Sequence, residues 1–216
     1  MDGTLVDTEP YWMAAETTLV ESYGGTWTHE DGLTLVGSAM VQSAAVLQAR
    51  GVRLSAIEIS AWLTGRVLER LHSGLTWRPG AEELLRGIRA EGIRTALVTS
   101  SPRMLADAVV AAIGFEAFDA VVCGEDVIRN KPFPDPYLLA AERLGVTASD
   151  CIAIEDSTPG LASAVQAGVT TIGVPMHSQL FPDQGYLIWP TLSGTSVSQL
   201  VDAHCSARGT YSKGLV

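Results

Sequence analysis

Two adjacent carboxylates, Glu155 and Asp156, follow a short apolar run, Cys151–Ile154. Like charges side by side at the end of a buried strand repel unless a cation stands between them. Hard oxygen donors in a loop suit Mg2+, which is held by one or two carboxylates together with substrate phosphate and water. In the alternative reading Asp156 caps the next helix and Glu155 is solvated. Lys131, in Asn130-Lys131-Pro132, is the only lysine before Lys213 in a chain that otherwise uses twelve arginines. Such a point charge could neutralise a phosphate oxygen; a lone cation before proline is otherwise a surface residue. Thr99 and Ser100 follow the apolar run Thr95–Val98. A hydroxyl and free backbone N–H groups at a helix start cradle phosphate, or Ser100 and Ser101 simply cap the helix. Asp2, before Gly3-Thr4, stands at a turn that would aim its carboxylate back over a strand end; the other reading is an unstructured terminus.

These residues need elements to position them. Helical spacing covers Ala81–Ala90, then Ser101 as N-cap with Pro102 at the first helical position and the helix running to Ile113, then Asp135 to Gly145 and Ser157–Ala167. Between them lie apolar runs at Thr95–Val98, Ala120–Cys123, Cys151–Ile154 and Thr170–Val174. Strands alternating with helices of this length predict a parallel sheet with right-handed crossovers, covered on both faces. Ligands then bind at the carboxyl ends of the strands, where the chemical residues fall. Residues 11–77 lack this alternation and read as helices at Met13–Ser22, Ser38–Ala49 and Ile57–His72. The predicted class is α/β, a Rossmann-like doubly wound parallel sheet over residues 1–12 and 78–216, with an α-helical cap inserted at 13–77. The stretch after Val174 is loop-rich, with a closing helix at Val197–Ala203 and a frayed tail beyond Ser206.

Composition narrows the function classes. With 216 residues the chain can bury a real core. A formal charge of −10 without a basic cluster argues against nucleic acid. Apolar residues make up 47% of the chain, yet no run reads as membrane-spanning. No leader is expected ahead of the first motif. Cys123, Cys151 and Cys205 form neither a disulfide framework nor a zinc pattern, which suits the cytoplasm.

The order of the motifs is more telling than any one of them. Asp2-Gly-Thr-Leu-Val-Asp7-Thr-Glu-Pro10, Thr99-Ser-Ser-Pro-Arg103, Asn130-Lys-Pro132 and Ile154-Glu-Asp-Ser157 resemble the four signature motifs of the haloacid dehalogenase superfamily, and Arg78-Pro-Gly80 agrees with them. The helical insert is similar to its helical-cap branch, and the variants are nearest the sugar-phosphatase and β-phosphoglucomutase-like group. The resemblance implies a Mg2+-dependent phosphatase that acts on a small phosphorylated sugar or polyol through an aspartyl-phosphate. It implies Asp2 as general acid/base and carbonyl ligand of Mg2+, Thr99 and Ser100 as phosphate binders, Lys131 as the neutralising charge, and Glu155 with Asp156 as metal ligands. Phosphoryl transfer asks mainly for positioning and charge neutralisation, which these groups supply.

The superfamily hosts several chemistries. Haloacid dehalogenases need no acid at the Asp2 position. Phosphonate hydrolases use a cap lysine, and this cap has none. β-Phosphoglucomutases carry a histidine where Trp12 stands, which disfavours a mutase; Trp12 packs the cap or lines the substrate entrance. Gly37 and Ser38 match a loop that reaches substrate. Arg50, Arg53 and Arg66 are further candidates for a second anionic group, with solvated helix faces as the commoner reading. No partner beyond the metabolite is expected, and a monomer is favoured.

The resemblance also places the attacking Asp just ahead of Met1, at the end of a central strand. The expectation is therefore a truncated start, with a catalytically inactive, pseudoenzyme or interaction role as the rival. Strands beside an unfilled central position would bury unpaired backbone groups at roughly 1–3 kcal/mol each, against a domain stability of about 5–15 kcal/mol. The 216-residue chain is expected to show negligible Mg2+-dependent hydrolysis of p-nitrophenyl phosphate. A form extended by an apolar run ending in Asp should hydrolyse it. Equal activity of the two forms would overturn the motif assignment.

Overall fold

A computed structural model describes residues 1–35, 40–71, 73–177 and 179–209. Four helices come first: α1 (Glu9–Ser22), α2 (His29–Leu33), α3 (Met40–Ala49) and α4 (Ala56–Leu71). Helices and strands then alternate as α5 (Ala81–Ala90), β1 (Ala96–Val98), α6 (Arg103–Ile113), β2 (Ala120–Val122), α7 (Asp135–Leu144), β3 (Ile152–Glu155), α8 (Thr158–Gln166), β4 (Thr170–Gly173), β5 (Leu187–Ile188) and α9 (Val197–Ala207). Among the described residues no helix is long and apolar enough to cross a membrane.

Local chemistry explains where these elements differ from expectation. Helix α1 begins ahead of Met13 because Pro10 lies in its first turn, where a missing N–H costs nothing. The short α2 was not expected. It is held by a reciprocal cap in which Thr28 Oγ1 accepts from the Asp31 N–H and the Asp31 carboxylate accepts from the Thr28 N–H. Ser101 does not cap α6: Pro102 takes that position, and the Arg103 N–H is accepted by the Glu125 carboxylate instead. Helix α9 runs on to Ala207, past Ala203, from a Ser196–Gln199 capping box. Its neighbour β5 is a two-residue strand inside the stretch read as loop, too short to leave a pattern.

All pairings between these strands are parallel, as expected, but the strands fall into two groups. β1 pairs with β2, Ala96 opposite Ala120 and Val98 opposite Val122. β3 pairs with β4 and β4 with β5, Ile152 opposite Thr170 and Ile172 opposite Leu187. Among the described residues no pairing joins β1 to β3. An apolar cavity of about 610 Å3 lies between them, lined by residues of both strands and by Met1 and Leu5 at one end.

The first four helices enclose their own apolar cluster around Leu19, Val20, Leu47, Ile59 and Leu63. Helix α4 continues into a second cluster through Val67 and Leu71, which pack with Val6, Leu97 and Val109. Trp12 is partly buried against both clusters, so it ties the helical insert to the sheet-bearing part. Arg50 and Arg66 serve the insert's own packing: Arg50 pairs with Asp31 and lies 5.5 Å from the centre of the Trp27 ring, and Arg66 pairs with Glu69 and lies 5.1 Å from that of Trp62. Arg53 is exposed. Gly37 and Ser38 lie outside the described residues.

Inside the insert, Glu16 is only 5% exposed. Neither its Oε2 nor the neighbouring Trp27 Nε1 has a hydrogen-bond partner. Burial pushes its pKa up to about 7, and the Glu9 charge adds to this. A carboxyl that is harder to ionise in the folded state weakens folding as pH rises. The loss begins near the unfolded value of 4.5 and is complete above about 7. Urea unfolding midpoints should therefore fall between pH 5 and pH 8. Glu16→Gln should flatten that profile and stabilise the protein at pH 8 by on the order of 2 kcal/mol. A wild-type-like pH slope in the variant would contradict this role for Glu16.

Candidate active site

The chemical residues gather at the carboxyl ends of β1 and β3. Thr99 follows β1 directly and is buried, its N–H donated to the Val122 carbonyl across the pair. Its hydroxyl oxygen accepts the Ser101 N–H at 3.0 Å, which folds the chain into the tight turn before α6. Ser100, at the tip of that turn, is exposed. Gly124 leaves β2 so close to this turn that a Cβ there would sit 2.6 Å from the Ser100 carbonyl oxygen.

Asp2 lies in the opening turn, where the Met1 carbonyl accepts the N–H groups of Leu5 and Val6. Both oxygens of its carboxylate accept hydroxyls: Thr8 Oγ1 donates at 2.6 Å and Ser101 Oγ at 2.8 Å. The Asp2 side chain is thus held between the opening turn and the turn after β1. Ser101 serves here rather than as a helix cap.

Asp156 faces the same opening turn. Thr4 Oγ1 donates to its Oδ1 at 2.6 Å. Gly3, with φ of 73°, lies directly against it: a Cβ there would fall 2.1 Å from Asp156 Oδ2. Only glycine allows both this backbone conformation and this approach. Burial raises the pKa of Asp156, and the neighbouring Glu155 charge adds to the effect, while the Thr4 hydroxyl opposes it.

Lys131 crosses from one strand end to the other. Its Nζ donates to the Val98 carbonyl at the end of β1, at 3.1 Å, and to Glu155 Oε1 at the end of β3. Glu155 is 4% exposed and also accepts the Tyr137 hydroxyl. Burial alone would raise the Glu155 pKa; the Lys131 charge and these hydrogen bonds outweigh it and hold the carboxyl below its usual range. The Tyr137 hydroxyl is pushed well above its ordinary value by burial and by the Glu155 charge. On the other side of Glu155, a Cβ at Gly160 would lie 2.1 Å from Oε2. Glu155, expected as a metal ligand, is thus also the carboxylate that holds Lys131 in place. Its oxygens are taken up by Lys131 and Tyr137 on one side, with Ser157 Oγ 3.4 Å from Oε2 on the other. Ser157, not Asp156, is the N-cap of α8.

The donor set was tested for a divalent cation on these contacts. Among the described residues no group of three His, Cys, Asp or Glu side chains is arranged to hold a metal unaided. Asp2 and Asp156 are two hard oxygen donors on either side of Gly3, a number that suits Mg2+ completed by phosphate and water. Glu9, at the start of α1, supports a need for positive charge here. Burial, and then the charges of Asp2, Asp7 and Asp156, push its pKa up to about 7. Asp7 Oδ1 is buried without a hydrogen-bond partner.

Sequence reasoning missed Thr4, Thr8, Ser101, Tyr137 and Glu9 as parts of this site. Thr4, Thr8 and Glu9 lay inside the quoted first motif, and Ser101 inside the second, so position alone could have flagged them. Tyr137 carries no such signal, because its link to Glu155 spans 18 residues and exists only once α7 packs on the strands.

Residues 1–174 match the family described as haloacid dehalogenase-like hydrolase. The chain is 32% identical over 187 residues to a phosphorylated carbohydrates phosphatase of Thermotoga maritima, covering 82% of this chain and 83% of that protein. It is 34% identical over 182 residues to hexitol phosphatase A of Escherichia coli, covering 81% and 80%. The crystal structure of CbbY from Rhodobacter sphaeroides in complex with phosphate superposes with a TM-score of 0.80 at 26% identity, over 93% of this chain and 96% of that one. The chain belongs to the haloacid dehalogenase-like hydrolase family.

Proposed function

We propose that this protein is a Mg2+-dependent phosphatase of phosphorylated sugars or polyols, working in the cytoplasm as a monomer. The observation that carries the reading is the meeting of Asp2, Lys131 and Asp156 at one end of β1 and β3, with the Thr99 turn beside them. Two relatives named as phosphatases of phosphorylated carbohydrates and hexitols support the substrate class.

Each residue has a task that follows from its contacts. Lys131 has three N–H donors, of which Val98 and Glu155 take two. The third is left for a phosphoryl oxygen. Glu155 and Tyr137 fix the ammonium in place, so they act as positioning residues for Lys131. Thr99 and the backbone of Ser100 and Ser101 form the opposite wall of the phosphate seat. Asp2, steered by Thr8 and Ser101, donates a proton to the leaving alkoxide and later withdraws one from the attacking water. Asp2 and Asp156 would hold Mg2+, which when bound neutralises charge on the phosphoryl oxygens. The aspartyl-phosphate route needs a further carboxylate as nucleophile. The helical insert, with Trp12 at its junction, closes over the seat and excludes water.

Inorganic phosphate titrated into the protein with Mg2+ should bind, and EDTA should abolish that binding. Lys131→Met alone strands a buried carboxylate and is expected to destabilise the fold by about 3–5 kcal/mol. The double change Lys131→Met with Glu155→Gln removes that penalty. It should fold with a near-wild-type melting temperature and still bind phosphate at least about tenfold more weakly, since a charge-assisted hydrogen bond contributes about 1.5–3 kcal/mol. Wild-type phosphate affinity in the folded double variant would refute the role of Lys131. In the extended, active form, Asp2→Asn should lower kcat by about 10²–10⁴ on a panel of sugar and polyol phosphates. Unchanged turnover would remove Asp2 from acid/base duty.

A further inference from the structure

The loop that carries Lys131 holds more than the ammonium. It is anchored on α8: Ser163 Oγ donates to the Phe133 carbonyl, and Gln166 Nε2 donates to the Pro132 carbonyl at 3.0 Å. The Asn130 carbonyl accepts the Phe133 N–H at 3.0 Å, which fixes the backbone on the other side of Lys131. Two neighbouring side chains leave this base. Lys131 reaches the Val98 carbonyl and Glu155. Asn130 reaches the segment just past β2, where its Nδ2 donates to the Gly124 carbonyl at 2.9 Å.

Gly124 backs the turn that forms one wall of the phosphate seat. Its N–H donates to the Ser101 carbonyl at 3.3 Å, and a Cβ on it would lie 2.6 Å from the Ser100 carbonyl oxygen. Close-packed groups transmit displacement, so a drift of Gly124 passes directly to Ser100 and Ser101. The amide of Asn130 is a poor choice on stability grounds alone. With Nδ2 committed to Gly124, Oδ1 is buried and has no hydrogen-bond partner among the described residues. The flipped amide would set Oδ1 against the Gly124 carbonyl oxygen, two acceptors face to face. A leucine of similar size would remove the orphaned Oδ1 and free the Gly124 carbonyl, one unmet acceptor exchanged for another. What the amide supplies and leucine does not is a fixed place for Gly124.

We propose that Asn130 is a positioning residue for phosphate: through Gly124 it sets the Ser100–Ser101 backbone, the wall of the seat opposite the Lys131 ammonium. The inference rests on the phosphate seat described above. One loop then fixes both walls, Lys131 directly and Asn130 through a glycine. The spacing of the walls depends on two neighbouring residues and their shared anchor on α8. A misplacement of about 1 Å in such a seat costs on the order of 10²-fold, so the brace matters although Asn130 touches no substrate.

The probe is inorganic phosphate, titrated by calorimetry with Mg2+ present into the wild type and into Asn130→Leu, Asn130→Ala and Asn130→Gln. The Leu and Ala variants lack the donor and should bind phosphate at least about tenfold more weakly. The Leu variant should melt within about 4 °C of the wild type, since its unmet acceptors stay equal in number. Asn130→Gln keeps an amide donor and should bind more tightly than Asn130→Leu. Hydrogen exchange in the Leu variant should quicken at the Ser101 and Gly124 amides and stay unchanged at Ile152–Ile154. Wild-type affinity in Asn130→Leu would mean that filled space is enough, and would overturn the proposal. So would a Gln variant no better than Leu, or a lost affinity that comes with a large fall in melting temperature. A wild type that binds no phosphate would overturn the seat itself and this inference with it; variants that match a wild type that binds would overturn the inference alone.

Discussion

The buried pair of Lys131 and Glu155 is the interaction on which the rest of the site depends. It does what no hydrogen-bonded ladder does here, joining the ends of the two strand groups. Desolvating both charges is expensive, and such a pair holds only where the remaining donors and acceptors are met. The Val98 carbonyl and the Tyr137 hydroxyl meet them. The arrangement therefore fixes an ammonium at a place where the surrounding groups are carboxylates. Other acids stand nearby: burial, and then the charges of Asp2, Asp7 and Asp156, raise the pKa of Glu9. A site with this balance is prepared for one anionic group and one divalent cation together, and is poorly suited to either alone.

The parts of this design differ in how far they could be read from the chain. Lys131 was visible because lysine is rare in the sequence and because Asn-Lys-Pro stands between a strand and a helix. Asp156 and Thr99 were visible because each ends an apolar run. The place of Glu155 at the strand end was legible, but its link to Lys131 was not, since adjacent carboxylates do not reveal which one turns inward. Strand alternation sends Glu155 and Asp156 in opposite directions, toward Lys131 and toward Gly3. Ser101 was misread for a similar reason. Its hydroxyl had a local option as a helix cap and a distant one at Asp2, 99 residues away in sequence, and local patterns expose only the first. The α/β order and parallel pairing were legible from the alternation of apolar runs and helices. The division of the strands into two groups was visible only as an expectation drawn from family likeness, because strand order is not written in local periodicity.

The helical insert follows a different logic from the sheet-bearing part. Its arginines are absorbed by rings and acids of the insert itself, as at Arg50 over Trp27 and Arg66 over Trp62. Its buried Glu16 is kept away from any cation. Trp12 and the end of α4, through Val67 and Leu71, pack against the core of the sheet-bearing part.

The near-absence of lysine has a consequence for how the folded molecule meets reagents. The Lys131 side chain is only 9% exposed, and Val98 and Glu155 take two of its three donors. Amine-directed acylation of the native protein should spare it, whatever happens at the amino terminus or at Lys213. Modification at Lys131 then becomes a chemical clock for opening of the strand ends, readable by mass spectrometry as a single added group. The residue that organises the site also reports, without any substitution, how often the site comes apart.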